Sequence, residues 1–453
     1  MKTKKRSLIL IGLLFIVTVL SIWTISYIDP PLVNKTIQSD VFGAIERTQP
    51  AWGEPKGSIL AFVDSKQISN VELSQRLAAK GVIAEVIDTG HFINSFKSVA
   101  EHCLEAKQVS KSLETLLKDL PVPNGKPPII AGIQEGALIP FLNAQVLSEQ
   151  KVNNLSIGFS VALPDMLVLC PPMSTQYQQN QQSLVFSPKL KSNWRSVWAD
   201  QPDPKTGVFI KALGEVDVRI AAYDTPLETL LVDELNISMG LADTEVPPMP
   251  VVEIKTSQSS HNVTLFYSGD GGWRDLDRTV ADEMVKLSYP VVGVDVLRYF
   301  WEHKTPEQAA ADLSATMAYY RKHWQVDTFV LTGYSFGADI LPALYNRLPQ
   351  NDKDSVALLT LLALAESADF EIHVSGWLGH SSGELPLAPE LAKIPKSKLL
   401  CVYGRDEKAE TACNSLLNTE AKILELPGGH HFDQDYPKLT RQILDVYLQH
   451  GIH

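Results

Sequence analysis

The feature of the sequence that most constrains the fold is a succession of apolar runs and helical patterns that occurs twice. The matched blocks are 56–63 with 262–267, 77–88 with 284–295, and 128–136 with 329–337. They keep a constant offset of about 200 residues, which indicates a duplicated domain. Continuous Val, Leu and Ile runs between helices are typical of a parallel sheet that helices cover on both faces. The sequence therefore predicts two tandem α/β domains.

A proline-rich segment separates the two halves of the chain. Residues 246–250 read Val-Pro-Pro-Met-Pro, which is typical of a linker. A chain of 453 residues is long enough for two or three domains of about 100–200 residues each. We predict a first α/β domain at 40–245, a linker at 246–252 and a second α/β domain at 253–453.

The N-terminal residues 1–30 have the pattern of a membrane segment. Four of the first six residues are basic, and residues 8–28 carry no formally charged side chain. An apolar run of about 20 residues can span a bilayer as a helix. The run is longer than the apolar part of a usual signal peptide, and no clear A-x-A cleavage site follows it. We expect an uncleaved anchor, with a cleaved signal peptide as the alternative, and the basic flank predicts that the rest of the chain is exported.

Charge and cysteine content exclude several classes of function. The chain has 40 Lys and Arg against 52 Asp and Glu, a formal net charge of −12. Because an acidic protein is repelled by phosphate backbones, nucleic acid is not an expected partner. No two of the four cysteines form a C-x-x-C pair, so no zinc or redox site is expected. In an oxidising compartment Cys401 and Cys413 can pair, with two reduced buried thiols as the alternative.

The motif Gly-Tyr-Ser-Phe-Gly at 333–337 points to a nucleophilic serine. It lies between a predicted strand at 328–332 and a predicted helix at 338–348. A G-x-S-x-G motif in this position is typical of a nucleophile elbow. The tight turn needs glycine on both sides of the serine, and it lifts the hydroxyl above the sheet. The following helix aims its first N–H groups at developing negative charge. We predict that Ser335 is the nucleophile.

A carboxylate is expected further along the chain. A serine nucleophile needs a base, and the base needs an acid to orient it. In α/β hydrolases the three residues follow the order serine, acid, histidine. The predicted strand 398–403 leads into Gly-Arg-Asp-Glu, which offers Asp406 and Glu407. The frequent spacing after the glycine favours Glu407, whereas the more common use of aspartate favours Asp406. We expect Asp406, with Glu407 as the alternative.

The base is expected close to the C-terminus. The predicted last strand, 421–426, leads into Pro-Gly-Gly-His-His-Phe at 427–432. A histidine in a glycine-rich turn after the last strand has the position of the base in this class of enzyme. The H-x-F spacing favours His430, and His431 is the alternative.

The oxyanion hole requires two backbone N–H donors. The residue after the nucleophile, Phe336, is expected to supply one of them. The segment Tyr-Ser-Gly-Asp-Gly-Gly-Trp at 267–273 follows the strand that normally supplies the other, so the N–H of Asp270 or Gly271 can donate. This glycine-rich run lacks the lysine and the spacing of a P-loop, and no cofactor is expected.

The first half carries a changed version of the same motif. Residues 132–136 read Gly-Ile-Gln-Glu-Gly, with Gln134 in place of the serine. An amide cannot act as this nucleophile, and no histidine occupies the matching terminal position. We therefore predict two tandem α/β-hydrolase-like domains after an N-terminal membrane segment. The first domain is expected to be an inactive copy that serves as a scaffold, a docking surface or a substrate lid.

Three motifs together resemble the bacterial virulence-protein family VirJ/AcvB. They are Ser-Gly-Asp-Gly-Gly-Trp-Arg-Asp-Leu-Asp at 268–277, Gly-Tyr-Ser-Phe-Gly-Ala-Asp at 333–339 and Pro-Gly-Gly-His-His-Phe at 427–432. The two-domain organisation with an export segment resembles the longer AcvB type. The resemblance implies a periplasmic hydrolase of lysyl-phosphatidylglycerol, with Ser335 as nucleophile and His430 or His431 as base.

That resemblance implies a serine hydrolase that cleaves an aminoacyl ester at a membrane surface. The partner would be an aminoacylated phospholipid with a cationic head group, to which the extra carboxylates of Asp270 and Asp339 could bind. A capping or surface role for these two is an equal alternative. A non-catalytic binding or secretion-accessory protein and an esterase with a soluble substrate are the competing functions. The oligomeric state is left open.

Overall fold

A computed structural model of the chain describes most residues after the predicted membrane segment. The described residues are 30–39, 42–97, 103–146, 151–163, 167–178, 181–214, 216–240, 246–257, 260–373 and 383–452. The predicted membrane segment at 8–28 lies outside them. Within the described ranges, no helix has the length and apolar character that a bilayer crossing requires.

The first domain is built on an eight-stranded sheet. Its strands are β1 (Leu32–Ser39), β2 (Gly43–Pro50), β3 (Ser58–Val63), β4 (Ile83–Asp88), β5 (Ile129–Ile133), β6 (Asn153–Ile157), β9 (Trp194–Trp198) and β10 (Asp217–Ile220), in the order β1-β2-β4-β3-β5-β6-β9-β10. A separate hairpin consists of β7 (Ser174–Gln178) and β8 (Gln181–Phe186). The helices are α1 (Asn70–Ala78), α2 (Thr89–Lys97), α3 (Ala106–Lys118), α4 (Leu138–Ala144), α5 (Pro204–Leu213) and α6 (Leu227–Ser238).

The second domain is built on a seven-stranded sheet. Its strands are β11 (Val251–Ile254), β12 (Asn262–Tyr267), β13 (Val291–Val294), β14 (Thr328–Tyr334), β15 (Val356–Leu362), β18 (Leu399–Gly404) and β19 (Lys422–Leu426), in the order β11-β13-β12-β14-β15-β18-β19. The short strands β16 (Ser367–Ala368) and β17 (Leu385–Pro386) pair beside it. The helices are α7 (Asp275–Lys286), α8 (Val296–Tyr299), α9 (Pro306–Trp324), α10 (Phe336–Arg347), α11 (Gln350–Ser355), α12 (Ala388–Lys393) and α13 (Tyr436–Gln449).

Apart from the additional edge strand β1, the two sheets have the same topology, which confirms the predicted pair of tandem α/β domains. Strands β2, β4, β3, β5, β6, β9 and β10 of the first sheet match β11, β13, β12, β14, β15, β18 and β19 of the second. In both sheets the first of these strands is antiparallel to its neighbour and the remaining pairs are parallel. Two boundaries differ from the prediction. Strand β1 begins before residue 40, and β11 begins within the predicted linker 246–252.

Helices cover both faces of each sheet, and this explains the unbroken apolar runs of the central strands. Every residue of β3 is buried, as is every residue of β14 after the first. Separate apolar clusters lie on the two faces of the first sheet and on the two faces of the second. A strand with a core on each side cannot alternate apolar with polar residues. The nucleophile motif therefore follows a strand that packing holds rigidly from both sides.

Two disulfide bonds lie in the described part of the chain. Cys401 in β18 is bonded to Cys413, so of the two alternatives that the sequence left open the structure shows the disulfide. Cys103 is bonded to Cys170 across a separation of 67 residues. No sequence pattern indicates this second bond, because residues so far apart become neighbours only when the first domain folds.

We predict that replacing both Cys401 and Cys413 by alanine lowers the free energy of unfolding by about 3 kcal/mol, because the bond restricts the unfolded chain over the loop it closes. Urea unfolding followed by circular dichroism measures the change. An unchanged urea midpoint would contradict the prediction.

Candidate active site

Ser335 lies in a sharp turn between β14 and α10. Its backbone has φ 52° and ψ −122°, a conformation that is strained for a residue with a side chain. Two glycines make this turn possible. A Cβ atom on Gly333 would lie 2.4 Å from the backbone of Gly337, and a Cβ atom on Gly337 would lie 2.4 Å from the carbonyl oxygen of Tyr267. The predicted elbow is therefore present, and a side chain at either glycine would collide with nearby backbone atoms.

The serine hydroxyl is the first member of a chain of hydrogen bonds. Ser335 Oγ lies 2.9 Å from His430 Nε2. The other ring nitrogen, His430 Nδ1, lies 2.8 Å from Glu407 Oε1. With a neutral imidazole, Nδ1–H donates to the carboxylate and Nε2 accepts the serine proton. This arrangement of three side chains can activate a serine for attack on a carbonyl group.

The loop after β19 presents its two histidines in different directions. His430 contacts Ser335, as the H-x-F spacing predicts. The ring of His431 instead lies with Nδ1 3.1 Å from the hydroxyl of Tyr334. The structure therefore brings the expected histidine to Ser335 and pairs His431 with Tyr334 instead.

The structure brings Glu407, the alternative acid, to the imidazole in place of the favoured Asp406. The N–H of Asp406 donates to the carbonyl oxygen of Gly428 at 3.0 Å, which fixes the start of the 3-10 turn Arg405–Glu407. That contact sets the side chain of Asp406 over Gly429. Glu407, one residue further and with a longer side chain, reaches the imidazole. The spacing argument was the better guide than the general frequency of aspartate.

The predicted oxyanion donors flank the serine. Phe336 is the first residue of α10, where a backbone N–H has no acceptor within the helix. Asp270 lines the same cleft as Ser335, whereas Gly271 packs against the guanidinium of Arg274. Of the two residues proposed for the second donor, Asp270 is thus the one at the cleft.

Two buried carboxyl groups accept hydrogen bonds from backbone N–H groups of the glycine-rich turn 267–273. Asp277 accepts the backbone N–H of Gly269, and burial raises the pKa of Asp277 well above its usual value. Asp295 accepts the N–H groups of Arg298 and Trp273, and burial likewise raises the pKa of Asp295. Asp277 ends the first of the three motifs, but a buried carboxyl cannot be told from an exposed one in the sequence.

The cleft beside Ser335 has a volume of about 280 Å³ and an acidic lining. Carboxyl groups of Asp270, Asp339, Asp369 and Glu371 all border it. Asp339 accepts the N–H of Ala365 at 2.8 Å, and the surrounding protein desolvates its carboxyl and raises the pKa well above the usual value. Burial also raises the pKa of Asp369. A cationic ligand would stabilise the charged forms of these groups.

One group of side chains at the rim has the composition of a cation site. Possible ligand atoms of Asp369, His373 and Glu384 lie within 4.8 Å of one another. All three are at least partly exposed, and acidic clusters of this kind are common without a bound metal. The grouping alone does not indicate a metal centre.

The first domain keeps the elbow but not the nucleophile. Gln134 has φ 52°, the same value as Ser335. A Cβ atom on Gly132 would lie 1.9 Å from the carbonyl oxygen of Gly136, and one on Gly136 would lie 2.2 Å from that of Phe62. The backbone of the turn is therefore retained where the serine is replaced by glutamine.

Sheet topology, elbow and hydrogen-bonded serine together define the α/β-hydrolase class. Residues 261–450 match the family model described as bacterial virulence protein (VirJ). The resemblance predicted from the three motifs is thus confirmed over the second domain. A comparison with curated proteins found no match.

Solved structures with a similar chain path include several esterases. Est1E from Butyrivibrio proteoclasticus is 14% identical, covers 45% of this chain and 93% of its own, and has a TM-score of 0.34. MenH from S. aureus is 13% identical, with coverage of 44% and 98% and a TM-score of 0.34. A thermophilic esterase from Thermogutta terrifontis is 16% identical, with coverage of 46% and 97% and a TM-score of 0.32. Matches at this level carry no information about the reaction.

We predict opposite outcomes for two adjacent carboxylates. Glu407→Gln should lower the rate of ester cleavage by about 100- to 10,000-fold, because an amide no longer holds the imidazole in the required tautomer. Asp406→Asn is the matched control and should leave the rate near that of the wild type. Hydrolysis of a p-nitrophenyl ester measures both, and the reverse ranking would restore Asp406 as the acid.

Proposed function

We propose that the second domain is a serine hydrolase that cleaves the aminoacyl ester of lysyl-phosphatidylglycerol. The observation that carries this proposal is the hydrogen-bonded series of Ser335, His430 and Glu407 beside an acidic cleft. The family match over the second domain and the α/β-hydrolase topology support a hydrolase. The choice of substrate rests on the VirJ/AcvB resemblance and on the chemistry of the cleft.

The reaction would begin with the transfer of the Ser335 proton to His430 Nε2. Ser335 Oγ attacks the ester carbonyl carbon, and the backbone N–H groups of Phe336 and Asp270 stabilise the resulting oxyanion. The tetrahedral intermediate collapses, the ester C–O bond breaks, and His430 gives its proton to the leaving oxygen of phosphatidylglycerol. The lysyl group is then held as an ester on Ser335, while Glu407 keeps the imidazole oriented.

Water completes the reaction. His430 accepts a proton from a water molecule, whose oxygen attacks the lysyl ester on Ser335. The second tetrahedral intermediate collapses with return of the proton to Ser335 Oγ, and free lysine leaves. The same base therefore serves both halves of the reaction, as in other hydrolases with a covalent acyl intermediate.

The charge of the cleft supports a cationic acyl group. Asp270, Asp339 and Asp369 border the space beside the nucleophile, and a lysyl group carries ammonium charges on both its α and side-chain nitrogens. An ammonium within reach of such carboxylates forms charge-assisted hydrogen bonds. An acyl group with a negative charge would be repelled by the same lining.

The proposed location is the periplasm, at the membrane surface. The two disulfide bonds fit an oxidising compartment. The uncharged segment 8–28 would anchor the protein in the membrane. The basic residues before it would stay in the cytoplasm, so both domains would lie on the other side. A tethered enzyme would meet a phospholipid substrate within the leaflet to which it is held.

We predict that Ser335→Ala abolishes release of lysine from lysyl-phosphatidylglycerol vesicles and labelling by a fluorophosphonate probe. The fold should persist, because the methyl group of alanine occupies no more space than the serine side chain; circular dichroism checks this. The polar-lipid profile of cells that carry the variant should show accumulated aminoacylated lipid.

The result also separates the competing functions. Labelling of the wild type together with cleavage of p-nitrophenyl esters, but no release of lysine, would indicate an esterase with another substrate. Absence of labelling in the wild type would indicate a binding protein on a hydrolase fold. Undiminished lysine release by Ser335→Ala would refute the nucleophile itself.

We further predict that the affinity for the lysyl substrate depends on pH through the cleft carboxyls. Because the pKa values of Asp339 and Asp369 are raised, these groups stay neutral to a higher pH than usual. They gain charge as pH rises, so KM for the lysyl substrate should fall with rising pH. A neutral ester substrate should show no such change in KM.

Asp339→Asn tests this directly. The variant should raise KM for the lysyl substrate by about 10-fold or more, the worth of one hydrogen bond to a charged group. It should also flatten the dependence of KM on pH, while KM for a neutral ester stays near the wild-type value. An equal rise in KM for both substrates would show that Asp339 only supports the structure.

A further inference from the structure

The edge of the first domain that corresponds to its lost active site contacts the second domain. Strands β9 and β10 match β18 and β19, after which the acid and the base of the second domain lie. Asp200 follows β9, and Asp224 follows β10. These two residues thus lie in the loops that correspond to those of Glu407 and His430.

Both residues pair with arginines of the second domain. Asp200 places each of its carboxylate oxygens 3.2 Å from Arg274 Nη1. Asp224 Oδ2 lies 3.3 Å from Arg278 Nη1. The carbonyl oxygen of Ile220, at the end of β10, accepts a hydrogen bond from Arg298 Nε. The loops of the inactive copy have therefore become contacts between domains.

Arg274, the partner of Asp200, contacts the glycine-rich turn at residues 269–272, which we call the oxyanion turn. The guanidinium of Arg274 lies against Gly271, where an added Cβ atom would be 3.1 Å from Nη2 and 3.2 Å from Nε. The turn closes with a hydrogen bond from Gly272 N–H to the carbonyl oxygen of Gly269 at 3.1 Å. A Cβ atom on Gly269 would lie 3.8 Å from Cβ of Ser335, so this turn borders the nucleophile.

A second contact between the domains involves Glu371 and Ile372, which form one wall of the cleft. Lys211 in α5 donates to Glu371 Oε1 at 2.5 Å, to the carbonyl oxygen of Ile372 at 2.7 Å and to that of Trp301 at 3.3 Å. An ammonium group has three N–H donors, so these partners use its full capacity. Glu371 and Ile372 both line the cleft beside Ser335. Lys211 therefore fixes this wall and neutralises one of its carboxylates.

We propose that the first domain is a positioning element for the active site of the second. Asp200 holds the oxyanion turn in place through Arg274, and Lys211 holds the Glu371–Ile372 wall. This inference rests on the hydrolase function proposed above, since its effect is on the reaction at Ser335. Asp200 and Lys211 touch neither the substrate nor the reacting atoms, so they act as positioning residues.

The energetics separate a positioning role from a structural one. Asp200 and Arg274 keep 41% and 26% of their side-chain surface exposed, and pairs so accessible to water contribute about 0–1 kcal/mol to stability. A small displacement of an oxyanion donor has a much larger effect, because a shift of about 1 Å can cost 100-fold in rate. Loss of the ion pair should therefore leave the fold intact and slow the reaction.

The test compares Asp200→Asn with Asp224→Asn in the full chain. Both substitutions remove one carboxylate from a contact between domains, but only Asp200 leads to the oxyanion turn. We expect Asp200→Asn to lower kcat for a p-nitrophenyl ester by about 10- to 100-fold with KM nearly unchanged. Asp224→Asn should match the wild type in kcat and KM. The rate of fluorophosphonate labelling at Ser335 should follow kcat.

Two further variants test whether the effects are local to the two contacts. Asp200→Glu keeps the carboxylate and should recover most of the rate, which a general defect in packing would not allow. Lys211→Met should show the opposite kinetic pattern, with a raised KM for the neutral p-nitrophenyl ester and a nearly unchanged kcat, because the wall that lines the cleft would lose its three hydrogen bonds. Thermal unfolding of each variant checks that the protein is folded.

The outcomes distinguish this inference from the proposed function. A labelled wild type with equal rates for Asp200→Asn and Asp224→Asn would overturn the positioning role and leave the hydrolase intact. Failure of the wild type to label or to cleave any ester would overturn both. Failure of Asp200→Asn to fold, together with no rescue by Asp200→Glu, would reduce the contact to a structural one and overturn the inference.

Discussion

The candidate site depends on a backbone conformation that only close packing can hold. Ser335 adopts a positive φ between β14 and α10, and the absence of side chains at Gly333 and Gly337 lets the turn close. The central position of β14, buried on both faces, keeps the turn from relaxing. Every other part of the site takes its place relative to this fixed hydroxyl: the imidazole from the last loop, the acid from the loop before it, and the donors from α10 and the glycine-rich turn.

The fold and much of the site could be predicted because their signals are local. A buried strand followed by glycine, serine and glycine has few other solutions, and the order of acid and base after Ser335 follows from the order of the strands. The choice between Asp406 and Glu407 could not be made in this way. It depends on a backbone contact with Gly428 that forms only when β18 and β19 lie side by side.

Contacts between distant segments explain the remaining failures of prediction. The bond between Cys103 and Cys170 and the ion pair of Asp200 with Arg274 each join segments that no sequence pattern links. A charged residue in a loop looks the same in sequence whether it faces water or another domain. The replacement of the serine by Gln134 can be recognised in the sequence, whereas the contacts between the first and second domains are visible only in the folded chain.

The elbow of the first domain keeps its backbone conformation without a nucleophilic side chain. Gln134 keeps the backbone geometry of a nucleophile although its side chain cannot serve as one, since Gly132 and Gly136 are held by their contacts with neighbouring backbone rather than by catalysis. A turn of this kind is therefore held by backbone packing, whichever side chain it carries. A glycine-flanked residue with positive φ therefore indicates the fold of a domain. Whether the domain is active depends on which side chains lie beside that residue.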